Sequence, residues 1–176
     1  DFAKAFALQS LPKNRKIGVM SVTGAGCVIA ADSAIKKDFQ IPDLSKETVE
    51  AIRKMSPPWH KNIGNPVDMG PAIEVGMYSP SEALNVFNTA FNVLLEDKNL
   101  DSLIVVFFGL YRSFPMFEVA LSNVNSLKER ALKPILFSIS GDKEATGEIT
   151  KLLEGSGFPV YPDVTRAVRA MSAMRE

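Results

Sequence analysis

Apolar residues follow two alternating patterns along this chain. Short, nearly continuous apolar runs lie near Lys16, Leu103 and Pro134, and each is followed by a stretch whose apolar residues recur every three or four positions. Runs of about four to eight apolar residues predict buried strands, whereas the wider spacing predicts amphipathic helices. The alternation therefore predicts an α/β fold, in which helices cover both faces of an open parallel sheet.

The pattern predicts about five strands and the helices that connect them. The predicted strands are Lys16 to Val22, Phe39 to Ile41, Leu103 to Phe108, Pro134 to Ile139 and Pro159 to Tyr161. The predicted helices are Gly26 to Lys37, Ser45 to Met55, Ser79 to Asp97, Met116 to Arg130, Ala145 to Gly155 and Val164 to Met174. For a doubly wound sheet of this size we expect the flavodoxin-like strand order 2-1-3-4-5.

Composition and charge narrow the class of protein. The 176 residues are enough for one hydrophobic core, so we expect a single domain over residues 1–176. Lys and Arg together number 20, as do Asp and Glu, whereas nucleic-acid-binding proteins normally carry a basic excess. No apolar run approaches the roughly 18 residues of a membrane span. Because the chain begins with Asp1 rather than Met, we expect it to be part of a longer protein.

The single cysteine, Cys27, limits the chemistry further. One cysteine excludes an internal disulfide and a zinc site built from several thiolates. We assign no metal ligands and expect a reducing, cytoplasmic location.

The loop after the first predicted strand is the strongest candidate for ligand binding. It has the sequence Ser-Val-Thr-Gly-Ala-Gly-Cys over residues 21–27 and opens a predicted helix. Ligands of open parallel sheets bind beyond the carboxyl ends of the strands, and the free N–H groups of a helix start attract phosphate. We therefore expect phosphate binding at Thr23, Gly24, Ala25 and Gly26, here named the glycine loop. The glycines are equally consistent with a tight turn that binds nothing.

Two familiar nucleotide sites fit the loop less well. The dinucleotide fingerprint requires a third glycine where this chain has Ile29. A flavin mononucleotide site uses a hydroxyl-rich loop, to which Ser21 and Thr23 contribute only in part, and aromatic residues such as Tyr78 or Tyr111 beside the ring. A flavodoxin-like cofactor binder is therefore a third hypothesis, below the two that follow.

Several motifs resemble one family of enzymes. These motifs are Lys16 to Asp32, Leu44 to Thr48, Pro57 to Trp59, Gly64 to Asp68, Lys133 to Leu136 and Pro159 to Pro162. In order and spacing they resemble the NDP-forming, or ADP-forming, acyl-CoA synthetases, which include the acetate–CoA ligases. The resemblance covers nearly the whole chain and is to the second succinyl-CoA-ligase-like, flavodoxin-like domain of those enzymes.

The resemblance implies a role in phosphoryl relay. In such ligases the nucleotide phosphorylates a histidine at an ATP-grasp domain, the histidine passes the phosphate to an acyl substrate, and coenzyme A displaces it. Two helix N-termini, one from each flavodoxin-like domain, hold the phosphohistidine, and the glycine loop would be one of them. The neighbouring site loops would contain Asn65, Asp68, Gly109, Ser140 and Gly141.

The resemblance also implies that essential parts lie elsewhere. The chain has no Ser-His-Thr-Gly-type segment of the kind that carries the relay histidine, so we assign no catalytic residue and expect the isolated chain to be inactive. The full enzyme is expected to use ATP or ADP with Mg and coenzyme A, and this domain alone to bind none of them. The expected partners are coenzyme A-binding and ATP-grasp domains or subunits, with homo-oligomerisation left open and neither nucleic acid nor membrane expected.

Departures from the family pattern keep a second hypothesis open. Ala25 separates the two glycines of the loop, and Cys27 stands where the family has proline or an apolar residue. A regulatory or interaction module of the same fold, like the one fused to some protein acetyltransferases, would need no catalysis.

Four polar residues allow both a functional and a structural interpretation. We interpret His60, the only histidine, as a surface residue, because the sequence shows no partner that would orient it. Cys27 would have a lowered pKa if exposed at a helix start, but a buried packing role is commoner. Asp32 either contacts a partner domain or faces solvent. Asp68 either acts in the crevice or bonds its own turn.

Overall fold

The computed structural model describes residues 1–71, 74, 80–110 and 133–175, in which six helices and five strands are seen. The helices are α1 (Phe2–Leu8), α2 (Gly24–Ile35), α3 (Lys46–Met55), α4 (Pro80–Glu96), α5 (Lys143–Gly155) and α6 (Val164–Ala173). The strands are β1 (Ile17–Ser21), β2 (Val67–Asp68), β3 (Ser102–Leu110), β4 (Ile135–Gly141) and β5 (Val160–Tyr161). The predicted helix Met116 to Arg130 lies outside the described residues.

The strands form one parallel sheet in the order β2-β1-β3-β4-β5. In its register Ser21, the last residue of β1, is opposite Val106 of β3, and Phe108 is opposite Ser140 of β4. The flavodoxin-like α/β class and the strand order 2-1-3-4-5 are confirmed.

The second strand of this order is not the one that the sequence pattern predicted. Residues 39–41 contribute only an isolated bridge, between Gln40 and the residue before β1. The edge strand is instead β2, which pairs with the last two residues of β1. The prediction of Phe39 to Ile41 as a strand is wrong. The edge of β1 is divided between the bridge at Gln40 and β2, and β2 has only two residues, too few to show an alternating pattern in the sequence.

Apolar layers cover both faces of the sheet. On one face, Leu103, Val105 and Phe107 of β3 pack in a cluster with residues of α3, α4 and α5. On the other face, Ile104 and Val106 pack with residues of α1, α2 and α6. Successive strand residues point to opposite faces, so the unbroken apolar run of β3 reflects burial on both sides.

Polar side chains fix where several helices begin. Ser45, Asp142 and Asp163 precede α3, α5 and α6, and each accepts a hydrogen bond from a backbone N–H of the first helical turn. The described helices start within about two residues of the predicted positions, the usual uncertainty of helix ends. Helix α1 was not predicted; only Ala5 of it is buried. Among the described residues no helix is both long and apolar enough to cross a membrane.

Candidate functional site

The ends of four neighbouring strands meet at one edge of the sheet, here named the carboxyl edge. β1 ends at Ser21, immediately before the glycine loop, and β2 ends at Asp68. β3 and β4 end at Leu110 and Gly141. The strand order reverses between β1 and β3, which is where ligands of open α/β sheets bind.

The glycine loop forms the N-terminus of α2. Thr23 is the N-cap, and its Oγ1 accepts a hydrogen bond from Gly26 N at 3.1 Å. The backbone N–H of Thr23 itself donates to Ser21 Oγ at 3.1 Å. The N–H groups of Gly24 and Ala25 have no acceptor in the part of the chain that the structure describes, and both residues are exposed. Two free donors therefore face solvent at the positive end of a 12-residue helix.

Gly26 is required by packing rather than by backbone conformation. A Cβ at this position would lie 2.2 Å from Ser21 Oγ and 3.1 Å from Val106 Cγ1. The first distance is far below van der Waals separation and the second is tight, so a side chain here would force the Ser21 hydroxyl or α2 itself to move. The close approach of helix and strand holds the free N–H groups at the carboxyl edge.

Asp68 lies beside the free N–H groups. A Cβ on Gly24 would be 3.0 Å from Asp68 Oδ2, and one on Gly70 would be 3.0 Å from Oδ1. Asp68 Oδ1 accepts a hydrogen bond from Gly70 N at 2.9 Å. The carboxylate therefore bonds its own turn, as one interpretation of Asp68 expected, and it also lies against the glycine loop. Gly70, which makes room for it, was not singled out from the sequence.

Asn65 supports the edge of β1 from the side. Its Oδ1 accepts a hydrogen bond from Val19 N at 3.0 Å, and its Nδ2 donates to Ile17 O at 2.9 Å and to Pro42 O at 3.1 Å. The side chain imitates a neighbouring strand where β2 does not reach. These three bonds use most of its polar capacity, so Asn65 positions the chain before Asp68 rather than offering groups to a ligand.

The remaining predicted site residues lie farther along the same edge. Gly109 lies near the end of β3, and Ser140 and Gly141 end β4, where Phe108 is opposite Ser140. β3 separates Ser140 and Gly141 from β1, and two strand spacings amount to about 10 Å. The structure therefore brings the glycine loop and Asp68 into contact, and it places Ser140 and Gly141 on the same edge without a direct contact to the loop.

Cys27 is buried behind the loop and is not an activated thiol. Its side chain is 7% exposed and donates to Val67 O at 3.5 Å. Burial, together with the negative charge of Asp68, raises the pKa of the thiol to about 12. The buried packing role that we favoured for Cys27 is confirmed, and the exposure that a lowered pKa would require is not present.

The outward side of α2 exposes three apolar residues next to one ion pair. Val28 is 69% exposed, Ile29 is 44% exposed and Ile35 is 62% exposed. Ala30 and Ala34, on the inward side, are fully buried. A helix that is apolar on both sides is typical of one that is covered on both sides. Asp32 lies on the exposed side and pairs with Lys36 at 2.7 Å.

Neither His60 nor a metal cluster is part of this site. His60 contacts the ring of Trp59, and its Nδ1 is buried with no partner among the described residues. Within the same residues, no group of three or more His, Cys, Asp or Glu side chains is arranged to hold a metal ion.

Comparison with known proteins settles the family. The model of the Ligase-CoA domain matches residues 18–174, which include the glycine loop, Asn65 and Asp68. This chain belongs to the Ligase-CoA domain family. The resemblance to ADP-forming acyl-CoA synthetases is confirmed by named relatives. The ADP-forming acetate–CoA ligase II of Archaeoglobus fulgidus is 34% identical over 97% of this chain and 24% of its own length.

Other relatives are similar over the same region. The alpha subunit of ADP-forming acetate–CoA ligase II from Pyrococcus furiosus is 29% identical over 96% of this chain and 35% of its own length. The ADP-forming 4-hydroxybutyrate–CoA ligase of Nitrosopumilus maritimus is 26% identical over 99% of this chain. The chain spans about a quarter to a third of the length of these relatives.

A solved structure shares the fold of this Ligase-CoA domain. The apo form of the dinucleotide forming acetyl-coenzyme A synthetase 1 of Ca. Korarchaeum cryptofilum superposes with a TM-score of 0.78 and 21% identity. The match covers 98% of this chain and 35% of the synthetase chain. The same synthetase has been solved in complex with phosphate and ADP, with the same TM-score against this chain.

Proposed function

We propose that this Ligase-CoA domain holds the phosphoryl group of a phosphohistidine in an ADP-forming acyl-CoA synthetase. The histidine comes from another domain or subunit, and the glycine loop provides the N-terminus of α2 as one side of the phosphate site. The whole enzyme joins an acid to coenzyme A and couples this reaction to the interconversion of ATP with ADP and phosphate. Its other domains bind the nucleotide, Mg and coenzyme A. This domain supplies no catalytic side chain.

The observation that carries the proposal is the pair of unpaired N–H groups at Gly24 and Ala25. Backbone donors at a helix start are preorganised, and the helix dipole favours an anion there. Both residues are exposed, so a ligand reaches the donors from solvent. The relatives named as ADP-forming ligases and the related synthetase solved with phosphate and ADP support phosphate as that anion.

Asp68 favours phosphohistidine over free phosphate. A phosphate ion at Gly24 would lie close to the Asp68 carboxylate, and like charges at short range repel each other. A phosphohistidine brings an imidazole ring next to its phosphoryl group, and the ring offers an N–H or a positive charge to a carboxylate. One ligand then satisfies both the free donors and Asp68.

The apolar outward side of α2 supports a partner domain beside the site. Val28 and Ile29 follow directly after the glycine loop, so a domain that covers them also reaches the N-terminus of α2. The relatives are about three to four times as long as this chain or are named as subunits. We propose that the domain carrying the histidine packs against this side.

The test is phosphohistidine formation in the protein in its full natural length. Labelling with [γ-³²P]ATP should produce an acid-labile phosphohistidine, and Gly24→Val should lower its equilibrium amount at least tenfold, because the new side chain blocks the free N–H groups. Gly64→Ala is the matched control, since a Cβ at Gly64 meets nothing within 4 Å. Unchanged labelling in a folded Gly24→Val variant would overturn the proposal. No labelling in any variant would favour the non-catalytic interaction module.

A further inference from the structure

An open polar depression of the surface lies at the opposite edge of the sheet. It has a volume of about 600 Å³, within the usual range for small-molecule sites. It lies beside the start of β1, whereas the glycine loop follows the end of that strand. Five strand residues separate the two places by about 17 Å. The described residues that line the depression, here named the cationic pocket, are Lys13, Asn14, Arg15, Lys16, Gln40 and Arg175.

The charge of the cationic pocket is unusual for this protein. The chain as a whole has a formal net charge of zero, yet four of the six lining residues are cationic and none is acidic. Lys13, Arg15 and Lys16 form no ion pair with any residue that the structure describes. Four positive charges beside one carboxylate, that of Asp101, leave an excess of positive charge at this edge, so an anion that neutralises it would bind favourably.

The backbone of the pocket is fixed in place before any ligand binds. Asp101 Oδ2 accepts from Lys16 N at 3.2 Å, and Asp101 Oδ1 accepts from Asn14 Nδ2 at 3.3 Å. Gln40 N donates to Arg15 O at 2.8 Å. Both oxygens of Asp101, which lies beside the pocket, thus accept hydrogen bonds from Lys16 N and Asn14. The segment of residues 13–16 is therefore held in place at the edge of the sheet, while the side chains of Lys13, Arg15 and Lys16 are exposed.

Arg175, near the carboxyl terminus of the chain, lines one side of the pocket. Its guanidinium lies 5.0 Å from the centre of the buried Phe39 ring, and its Nη1 donates to Asp38 O at 3.4 Å. A cation–π contact and a backbone acceptor therefore hold the planar group in one place. Most of its donors are left for a ligand, and a held guanidinium binds phosphate oxygens in pairs.

We infer that the cationic pocket binds a small anion that carries a diphosphate group, either free or as part of a nucleotide. Four cations exceed what a single carboxylate or phosphate neutralises, whereas a diphosphate carries about three negative charges on oxygens spaced across two phosphorus centres. Arg175 provides the planar donor, and Lys13, Arg15 and Lys16 provide charge around it. This inference is independent of the function proposed for the glycine loop, because the two sites lie at opposite edges of the sheet.

The test measures pyrophosphate binding by isothermal titration calorimetry, with the protein in its full natural length at low ionic strength. The variant Lys13→Gln/Arg15→Gln removes two pocket charges whose side chains are exposed and form no ion pair with a described residue, so folding is expected to be preserved. We expect the dissociation constant of the pocket for pyrophosphate to rise at least tenfold. The matched control Lys151→Gln/Arg169→Gln removes the same two residue types from exposed helix surfaces, and binding should be unchanged. Equal weakening in both variants, or in neither, would overturn the inference.

Three further arms separate the ligands and the sites. Inorganic phosphate should bind at least tenfold more weakly than pyrophosphate, and equal affinity would overturn the diphosphate assignment. For ADP, which the other domains also bind, only the part of the binding that is lost in Lys13→Gln/Arg15→Gln and kept in the matched control reports on the pocket. A larger loss for ADP than for pyrophosphate identifies the nucleotide source, and a loss for pyrophosphate alone identifies the free diphosphate. Gly24→Val reports on the glycine loop separately, and Lys13→Gln/Arg15→Gln should still weaken pyrophosphate binding at least tenfold in that background. If Gly24→Val abolishes binding while the pocket variant does not, the anion site is the glycine loop and the inference about the pocket fails alone.

Discussion

The carboxylate of Asp68 lies against the Cα of Gly24, so that a single methyl group on Gly24 would stand 3.0 Å from Asp68 Oδ2. This contact joins the end of β2 to the first residue of α2. It places one negative charge beside two unpaired backbone donors. The pair defines a site that favours a ligand with an anionic and a donor part side by side.

Asp68→Asn tests whether the charge of that carboxylate acts on the ligand. Asparagine keeps the shape and the acceptor for Gly70 N, so stability should change by less than about 1 kcal/mol. We expect the amount of phosphohistidine in the full-length protein to fall at least tenfold, because the amide no longer offers a charge to the imidazole. Quantitative ³²P labelling measures this, with Asp43→Asn as a control on an exposed acid outside α2. Full labelling in Asp68→Asn would show that the carboxylate only supports its turn.

Gly26→Ala should destabilise the fold through α2. The new methyl group would overlap Ser21 Oγ at 2.2 Å, and overpacking of this kind typically costs about 1–3 kcal/mol. Gly147→Ala in α5 is the matched control, because a Cβ there meets nothing within 4 Å. It should be stabilising by up to about 1 kcal/mol through helix propensity. Urea unfolding of both variants decides the matter, and equal stability would contradict the packing role of Gly26.

The thiol of Cys27 should be nearly inert in the native protein. Burial raises its pKa from 9.0 to about 12, so the folded state holds the neutral form at ordinary pH. Because the unfolded chain loses that proton from about pH 9 upward, the contribution of Cys27 to stability is present below pH 9 and is lost as the pH rises toward 12. Reaction with a disulfide reagent at pH 8 should be at least a hundredfold slower than in urea. A native rate close to the unfolded rate would contradict the burial.

Asp97→Asn should destabilise the junction of α3, α4 and the start of β3. The Asp97 side chain is buried, and its two oxygens accept from Ser45 N at 2.9 Å and from Asn99 N at 2.8 Å. The amide NH₂ of asparagine would face one of these donors, so we expect a loss of about 2–3 kcal/mol. Urea unfolding at pH 7 measures it, with Asp32→Asn expected to cost no more than about 0.5 kcal/mol as a surface pair.

The cost of Asp97→Asn should depend on pH. Burial alone would raise the pKa of Asp97, but hydrogen bonds from Thr48, Asn99 and Ser45 outweigh it and lower the pKa below 3.8. The stabilisation is therefore present above pH 3.8 and is lost as the pH falls through the lowered value. Wild-type and variant stabilities should converge only in strong acid, and a difference that does not change between pH 7 and pH 2 would contradict this account.

The sequence predicted the central strands and failed at the edge of the sheet. The run at β3 is buried on both faces, so its apolar pattern alone predicts its position. The edge of β1 is different, because there the side chain of Asn65 and a single bridge at Gln40 make hydrogen bonds that a neighbouring strand would otherwise make. Hydrogen bonds from a side chain to a strand leave no periodic pattern, and β2 has only two residues.

The sequence predicted where the glycine loop lies, but not why its glycines are needed. The motif around Thr23 located the helix start, yet it did not distinguish the two glycines. The structure separates them, because Gly26 is required by the Ser21 side chain behind it and Gly24 by the Asp68 carboxylate beside it. Such neighbours come from distant parts of the chain, and their separation in sequence conceals them. The assignment of the glycine loop to phosphate, and of Asn65, Asp68, Gly109, Ser140 and Gly141 to the site loops, stays a prediction.

The contact between Gly26 and Ser21 also constrains how this helix can vary during evolution. The space between them holds either the Ser21 hydroxyl or a methyl group at position 26, but not both. Relatives with alanine at position 26 should therefore carry glycine or alanine at position 21, and they would need another acceptor for Thr23 N. The summed side-chain volume of positions 21 and 26 should therefore stay nearly constant among relatives. The exposed positions 25 and 28 should vary without reference to that pair.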